Sequence, residues 1–275
     1  MASIDEVAAA LRDRSRILVF TGAGISTESG IPDFRGHDGV WSRMDPADFT
    51  IQRYLSDPGV RRRAWSRRAG AEFLDAPPNR GHFAVTRLWE SGLMIGCVTQ
   101  NVDGLHTAAG LPLEAIAELH GSAATTSCIA CRASLRTREV MVRIDAGEED
   151  PSCTALFLPP EGGVPRRGEG GGGSDASVCG GILKADVVFF GEALPFRAME
   201  RAMEWAHSAD AVLAVGTTLS VFPAAAIPIA VADRGQPFVI INRGPTDLDP
   251  IADVVVDDQA GDALSRLLVV LGLTT

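Results

Sequence analysis

Residues 19–36 read VFTGAGISTESGIPDFRG, and Ile17 and Leu18 precede them. The apolar run Ile17-Leu18-Val19-Phe20 enters a glycine-rich turn at Gly22-Ala23-Gly24. A buried strand, such a turn and a helix starting near Ser26 would open a nucleotide-binding βα unit. The glycines let backbone approach a pyrophosphate, and the helix start aims free N–H groups at it. The spacing departs from the dehydrogenase fingerprint, whose third glycine stands three residues after the second. Thr27 occupies that position, and the next glycine is Gly30. No acidic residue closes a second strand about twenty residues on, as that fingerprint also requires. The stiff, charged, aromatic Ile31-Pro32-Asp33-Phe34-Arg35 that follows is more than a phosphate turn needs.

Outward from this stretch, apolar β-type runs alternate with helical patterns. Strands are expected at 17–21, 94–99, 187–190, 211–215, 238–241 and 253–256. Helices are expected at 4–14, 80–90, 196–207, 223–232 and 261–271. This alternation predicts a doubly wound, Rossmann-like α/β fold around a buried parallel sheet. Residues 1–122 and 185–275 form its main domain. Two regions break the pattern. Residues 36–78, with Trp41, Phe49, Tyr54, Trp65 and an arginine cluster from Arg61 to Arg68, read as short helices over the sheet's carboxyl edge. Residues 123–184 show no sustained helical period and hold four of the five cysteines, so they read as a small inserted domain.

Composition bounds the partners. A formal charge of −10 argues against nucleic acid, which selects a basic face, and solubility alone accounts for it. No apolar run approaches the ~18 residues of a membrane span. The first sixteen residues form an amphipathic helix rather than a signal peptide, so a cytoplasmic location is expected. Five cysteines, an odd number, do not suggest a disulfide framework. Three further polar stretches follow apolar strands: Thr99-Gln100-Asn101-Val102-Asp103, Gly216-Thr217-Thr218-Leu219-Ser220 and Asn242-Arg243-Gly244. In a doubly wound sheet such strand ends line one ligand crevice.

Together these motifs, with Glu118-Leu119-His120-Gly121 and Val187-Val188-Phe189-Phe190-Gly191-Glu192, resemble the sirtuins, NAD-dependent protein-lysine deacylases. The likeness runs from about Leu11 to Leu271. It implies that NAD+ and an acylated lysine yield nicotinamide, O-acyl-ADP-ribose and free lysine. The implied base is His120, whose unperturbed pKa of about 6.5 suits the task. Asn101 would place a ribose hydroxyl or water, and Asp103 would accept from the nicotinamide amide. Implied cofactor contacts are Gly22, Ala23, Gly24, Ser26, Thr27, Ile31, Pro32, Asp33, Phe34, Arg35, Gln100, Asn101, Val102, Asp103, Gly216, Thr217, Thr218, Ser220, Asn242, Arg243, Gly244 and Ala260. Ile31 to Arg35 would close over the nicotinamide ribose, with Phe34 excluding water. Val188, Phe189, Phe190, Gly191 and Glu192 would form the edge on which the substrate peptide adds as a strand. His106 and Cys97 read as structural.

Cys128-Ile129-Ala130-Cys131 has the spacing of a zinc half-site. Cys153 and Cys179 stand 26 positions apart, too far for a compact knuckle. The resemblance makes them the second pair, split by a flexible insert at about 155–178, and implies one structural zinc held by all four thiolates. A degenerate site without metal is the alternative. Desuccinylating sirtuins hold a carboxylate with a Tyr and an Arg three residues apart, and the matching positions are Trp65 and Arg68. The surrounding segment is more similar to the branch that includes the mitochondrial lipoamidase type, which implies longer or unusual acyl chains. A monomer is expected. ADP-ribosyl transfer to protein and a non-catalytic NAD-binding scaffold are the rival functions, with a dehydrogenase ranked last.

Overall fold

The structure is a computed structural model describing residues 2–36, 39–69, 75–157 and 177–273. Its strands are β1 (Ile17–Thr21), β2 (Met94–Thr99), β3 (Ile116–Glu118), β4 (Gly121–Cys128), β5 (Ser134–Arg136), β6 (Leu156–Phe157), β7 (Ser177–Val178), β8 (Leu183–Val187), β9 (Ala211–Val215), β10 (Phe238–Asn242) and β11 (Val254–Asp257). Its α-helices are α1 (Ile4–Leu11), α2 (Ile51–Ser56), α3 (Pro58–Ala69), α4 (Arg80–Glu90), α5 (Leu105–Ala108), α6 (Thr137–Asp145), α7 (Phe196–Ser208), α8 (Ala226–Ala232) and α9 (Ala260–Val270).

Six strands form one parallel sheet in the order β11-β10-β9-β1-β2-β3. Every residue of β1, β9 and β10 is buried, because helices cover both faces. Alternate side chains enter opposite cores. Ile17 and Val19 pack with α1, α4 and α9 through Val7, Leu11, Val85, Leu88, Leu264 and Leu267. Leu18 and Phe20 pack with α7 and α8 through Ala202, Ala206, Ile227 and Val231. Burying an aliphatic or aromatic side chain contributes roughly 1.5–3 kcal/mol, so these two layers hold the frame. Strand order reverses at β1: the chain runs to β2 and β3 on one side and to β9, β10 and β11 on the other. In doubly wound sheets the ligand crevice lies at the carboxyl ends beside such a reversal. Among the described residues no helix is long and apolar enough to cross a membrane.

Four expectations need correction. The run 187–190 does not join the parallel sheet. β8 ends at Val187 and lies antiparallel to β4 in a separate sheet, β5-β4-β8. Residues 188–190 continue past it, and Phe190 bridges to Thr50. An apolar run fixes burial but not which strand it pairs with. Second, the segment after β1 is a 3-10 turn, Ala23–Ser29, rather than an α-helix starting near Ser26. Third, α6 lies in the region read as lacking helix. Its nine residues give only Val140, Met141 and Ile144 to show a period, and these pack in the small module's core. Fourth, the ends of the cysteine insert are not loose: β6 and β7 pair antiparallel. Residues 158–176, the body of that insert, lie outside the described residues.

Residues 40–69 form the expected short helices, two 3-10 turns followed by α2 and α3. Side chains bolt this module to the small sheet. The Tyr54 hydroxyl donates to the Leu183 carbonyl at 2.7 Å. Arg61 grips Asp150 with two nitrogens, Nε at 3.0 Å and a terminal nitrogen at 2.8 Å. Trp65 is fully buried in a cluster with Cys128, Val140, Met141, Cys153 and Leu183.

Candidate active site

Backbone stitches the strand ends together. Gly22 N–H donates to Val215 O, Gly24 N–H to Gly216 O at 2.8 Å and Gln100 N–H to Thr21 O at 2.9 Å. A Cβ on Gly24 would sit 2.7 Å from the Gly216 Cα, so the glycine here serves loop-to-loop contact. The Gln100 side chain crosses the crevice and donates to Thr217 Oγ1 at 2.8 Å. The ends of β1, β2 and β9 therefore form one rigid rim.

Inside the rim, Ser26 is a hub. Its hydroxyl donates to Asp103 Oδ2 at 2.7 Å and accepts from Asn101 Nδ2 at 3.1 Å. His82 Nδ1 accepts the Asn79 N–H at 3.2 Å, which leaves the ring proton on Nε2, 3.4 Å from the same hydroxyl. Asp103 Oδ1 caps the turn at Leu105 N. Beneath lies a buried chain. Thr21 Oγ1 donates to Thr99 Oγ1 at 2.9 Å, so His106 Nε2, 2.9 Å away, must donate to Thr21. Thr99 Oγ1 also receives the Asn101 N–H at 3.1 Å. Burial lowers His106 to about 3 and His82 to about 4, so both rings are neutral. Burial pushes the Cys97 thiol up to about 12, which makes it inert.

His120 follows β3. Its Nδ1 stands 2.9 Å from Gln100 O, and a carbonyl only accepts, so Nδ1 carries the proton and Nε2 is a free base. Burial lowers its pKa, and the hydrogen bond to Gln100 opposes part of that shift. The His120 carbonyl accepts the Val188 N–H at 2.9 Å, which sets the turn carrying the imidazole directly beside the start of 188–192. Gly121 has φ 75°, and a side chain there would collide with the Asp186 carbonyl. Only glycine lets these segments close.

The remaining expected residues lie along the strand ends and in the loops around them. Val102 O accepts Ala123 N–H at the crevice's small-module side. Thr218 and Ser220 hydroxyls bond each other at 2.9 Å after β9, and Asn242 braces the turn after β10 through Gly244 O at 2.9 Å. Gly244 N–H in turn donates to Asp257. Arg243 and Arg35 are exposed and Ala260 is buried. Asp33 closes its own turn by accepting Gly36 N–H at 2.7 Å, while Phe34 is 42% exposed at the rim. In the 188–192 edge, Glu192 takes both the N–H and, through its own N–H, the carbonyl of Phe189; Phe190 pairs with Phe49 and Ile51. Trp65 is not open to the crevice. Arg68 stacks near the Trp65 ring at 5.7 Å, and burial lowers its pKa.

Residues that the sequence reading passed over are His82, Asn79, Glu28 and Lys184. Glu28 accepts Gly261 N–H at the start of α9 at 2.7 Å and pairs with Arg80 at 2.9 Å, fixing the glycine turn to α4 and α9. A signal was present for one pair: Asn79 and His82 have capping-box spacing at the start of α4.

Cys128, Cys131, Cys153 and Cys179 bring their sulfurs within 4.8 Å of one another. Cys128–Cys179 is 3.8 Å and Cys131–Cys153 3.6 Å. A tetrahedron with Zn–S arms of ~2.3 Å has edges of about 3.8 Å, so the four thiols are positioned to hold a zinc ion. The β6–β7 ribbon and the bonds Cys179 N–Ala155 O and Gly180 N–Cys153 O re-register the split pair.

The Sir2 family model matches residues 22–223. The chain belongs to the Sir2 family. It is 38% identical over 258 residues to "NAD-dependent protein deacetylase 2" of Streptomyces coelicolor, covering 93% of this chain and 98% of that protein. It is 40% identical over 272 residues to "NAD-dependent protein deacetylase 1" of the same organism, covering 97% and 89%. Among solved structures, a Sir2 enzyme with a deacetylated p53 peptide and 3'-O-acetyl ADP-ribose superposes with a TM-score of 0.84 at 28% identity, over 100% of both chains. This Sir2 chain thus shares its fold with its relatives, and its crevice and four-cysteine knuckle are set on that fold.

Proposed function

We propose that the rim and hub of this Sir2 fold bind NAD+ beside an acylated lysine, and that the chain is an NAD-dependent protein-lysine deacylase. The observation that carries this reading is the neutral His120 ring, with Nδ1 committed to Gln100 O and Nε2 free, held by the residue next to Asn101, which joins Asp103 on the Ser26 hydroxyl. The names of its relatives, protein deacetylases, support it. When bound, NAD+ supplies an electrophilic ribose carbon and nicotinamide as leaving group. The products are nicotinamide, O-acyl-ADP-ribose and free lysine.

In this reading His120 Nε2 takes a proton from a ribose hydroxyl, so that the hydroxyl can attack the acyl carbon. The Asp103 carboxylate receives the nicotinamide amide, held in place by the Ser26 hydroxyl. Asn101 orients a hydroxyl or water. Gln100, Gly216, Thr217 and Thr218 line the diphosphate-ribose side, and Asn242, Arg243 and Gly244 the adenosine end. Phe34 would cover the sugar and exclude water. The main-chain groups of 188–192 not already bonded to His120, Phe49, Ile51 and Glu192 would pair with the substrate backbone. With Trp65 buried, Arg68 alone of that pair would be left to meet an acidic acyl group.

The test is mass spectrometry of products from NAD+ and peptides bearing acetyl-, succinyl-, lipoyl- and myristoyl-lysine, with adenylate-labelled NAD+ in parallel. Soluble labelled O-acyl-ADP-ribose, in step with nicotinamide, is expected. Label bound covalently to protein, with the acyl-lysine intact, would establish ADP-ribosyl transfer instead.

A further inference from the structure

The chain carries one lysine against 24 arginines. That lysine, Lys184, is 8% exposed on β8, where the chain leaves the small sheet for residues 188–192. Its ammonium donates to Val187 O at 2.8 Å and to Ala185 O at 3.2 Å, and pairs with Glu192 Oε2 at 3.1 Å. Two of its protons have carbonyl acceptors, and Glu192 supplies the countercharge. It also stands 5.0 Å from the centre of the Phe189 ring. Glu192 Oε2 in turn accepts the Phe189 N–H at 2.8 Å. One cation therefore gathers 185, 187, 189 and 192 around itself, and with Glu192 it walls a cavity of about 290 Å³ that Arg132, Asp186 and Val188 also line.

Two carbonyls and a carboxylate gathered around one point suit a compact ammonium. A guanidinium directs its five donors in one plane. At this one position the ion is an ammonium, where elsewhere the chain uses arginine. Removing it would leave the Glu192 carboxylate half-buried beside two carbonyls. The carboxylate would turn to solvent and release Phe189 N–H, which would then compete for the main-chain positions of the edge.

We propose that Lys184 is a positioning residue for substrate: its ammonium holds the 187–192 turn in the shape that presents main-chain groups to the acylated-lysine peptide. The inference rests on the reading of 188–192 as the peptide edge. It predicts that Lys184 acts on peptide affinity and not on the NAD+ side, which is built from β1, β2, β9 and β10.

The experiment uses the full-length, zinc-loaded chain. Lys184→Met should raise the KM for acylated peptide tenfold or more, with the KM for NAD+ within twofold and zinc content unchanged. Combining it with Glu192→Gln should cost no more than the larger single effect, because both remove one interaction. Peptide KM within twofold of the parent, peptide and NAD+ KM rising together, or multiplicative effects in the double variant would each overturn the proposal. Should Lys184→Met fail to fold, Glu192→Gln carries the test alone. Its lysine should react several-fold faster with an amine-reactive ester, located by mass spectrometry, and peptide KM should rise with it. Faster labelling without the KM change, or no faster labelling, overturns the proposal. A peptide N-methylated beside the acyl-lysine separates the two readings on the parent enzyme. If its KM is unchanged, the edge itself is wrong. If its KM rises while Lys184→Met has no effect, Lys184 alone is wrong.

Discussion

The role proposed for His120 rests on its neighbours more than on its identity. Gln100 O fixes the tautomer, and burial favours the neutral ring. The neutral form is the base, so activity persists as pH falls below the ordinary histidine value of about 6.5 and is lost only through the lowered pKa. A pH profile of kcat/KM should therefore place its acid limb below pH 6.5; a limb centred above 7 would contradict the assignment. Glu118-Leu119-His120-Gly121, in the company of the other motifs, is what singled out His120 in the sequence. His82 was not, because its contact with Ser26 spans 56 residues of sequence and depends on which nitrogen Asn79 occupies. Trp65 was legible as a position on α3, but its burial under the cysteine knuckle depends on a module contact that the sequence does not display.

At the scale of elements, β1, β2, β9 and β10 were legible because burial on both faces makes each a continuous apolar run. β3 has three residues and α6 nine, too short for a period to emerge. The 187–190 run was apolar yet mispaired, since its partners, His120 O, Phe49 and Ile51, come from three distant segments. The cysteine knuckle and α3 share one small core. Without metal, four thiols would crowd together under Trp65 with little apolar area of their own to hold them. Stripping zinc with a chelator should therefore shift Trp fluorescence to the red and weaken deacylation together, as Trp65, Arg61 and Asp150 come apart. Full retention of both after verified metal loss would show that the knuckle stands without zinc.

Across the whole molecule, the parallel sheet fixes where the loops meet, and the two buried histidines beneath them tie stability to pH. His82 and His106 hold folded values of about 4 and about 3. Between those values and about 6.5 the unfolded chain binds protons that the folded chain cannot, so stability falls as pH drops. The loss is about 1.4 kcal/mol per pH unit for each ring. Urea midpoints should decline from pH 7 to pH 5, with a shallower slope in His106→Gln; equal slopes would remove His106 from the account. The overall architecture was legible from the alternation of strand and helix around Gly22-Ala23-Gly24. The pairing of β6 with β7 was not, because it joins the two ends of the insert that splits the cysteine pair.

The most direct measurement of the central claim is His120→Ala with NAD+ and an acylated peptide. NAD+ should bind within about threefold of the parent affinity, while O-acyl-ADP-ribose formation falls by a factor of roughly 10²–10⁴. Turnover near the parent rate in a variant that still binds NAD+ would contradict the assignment of the imidazole as base.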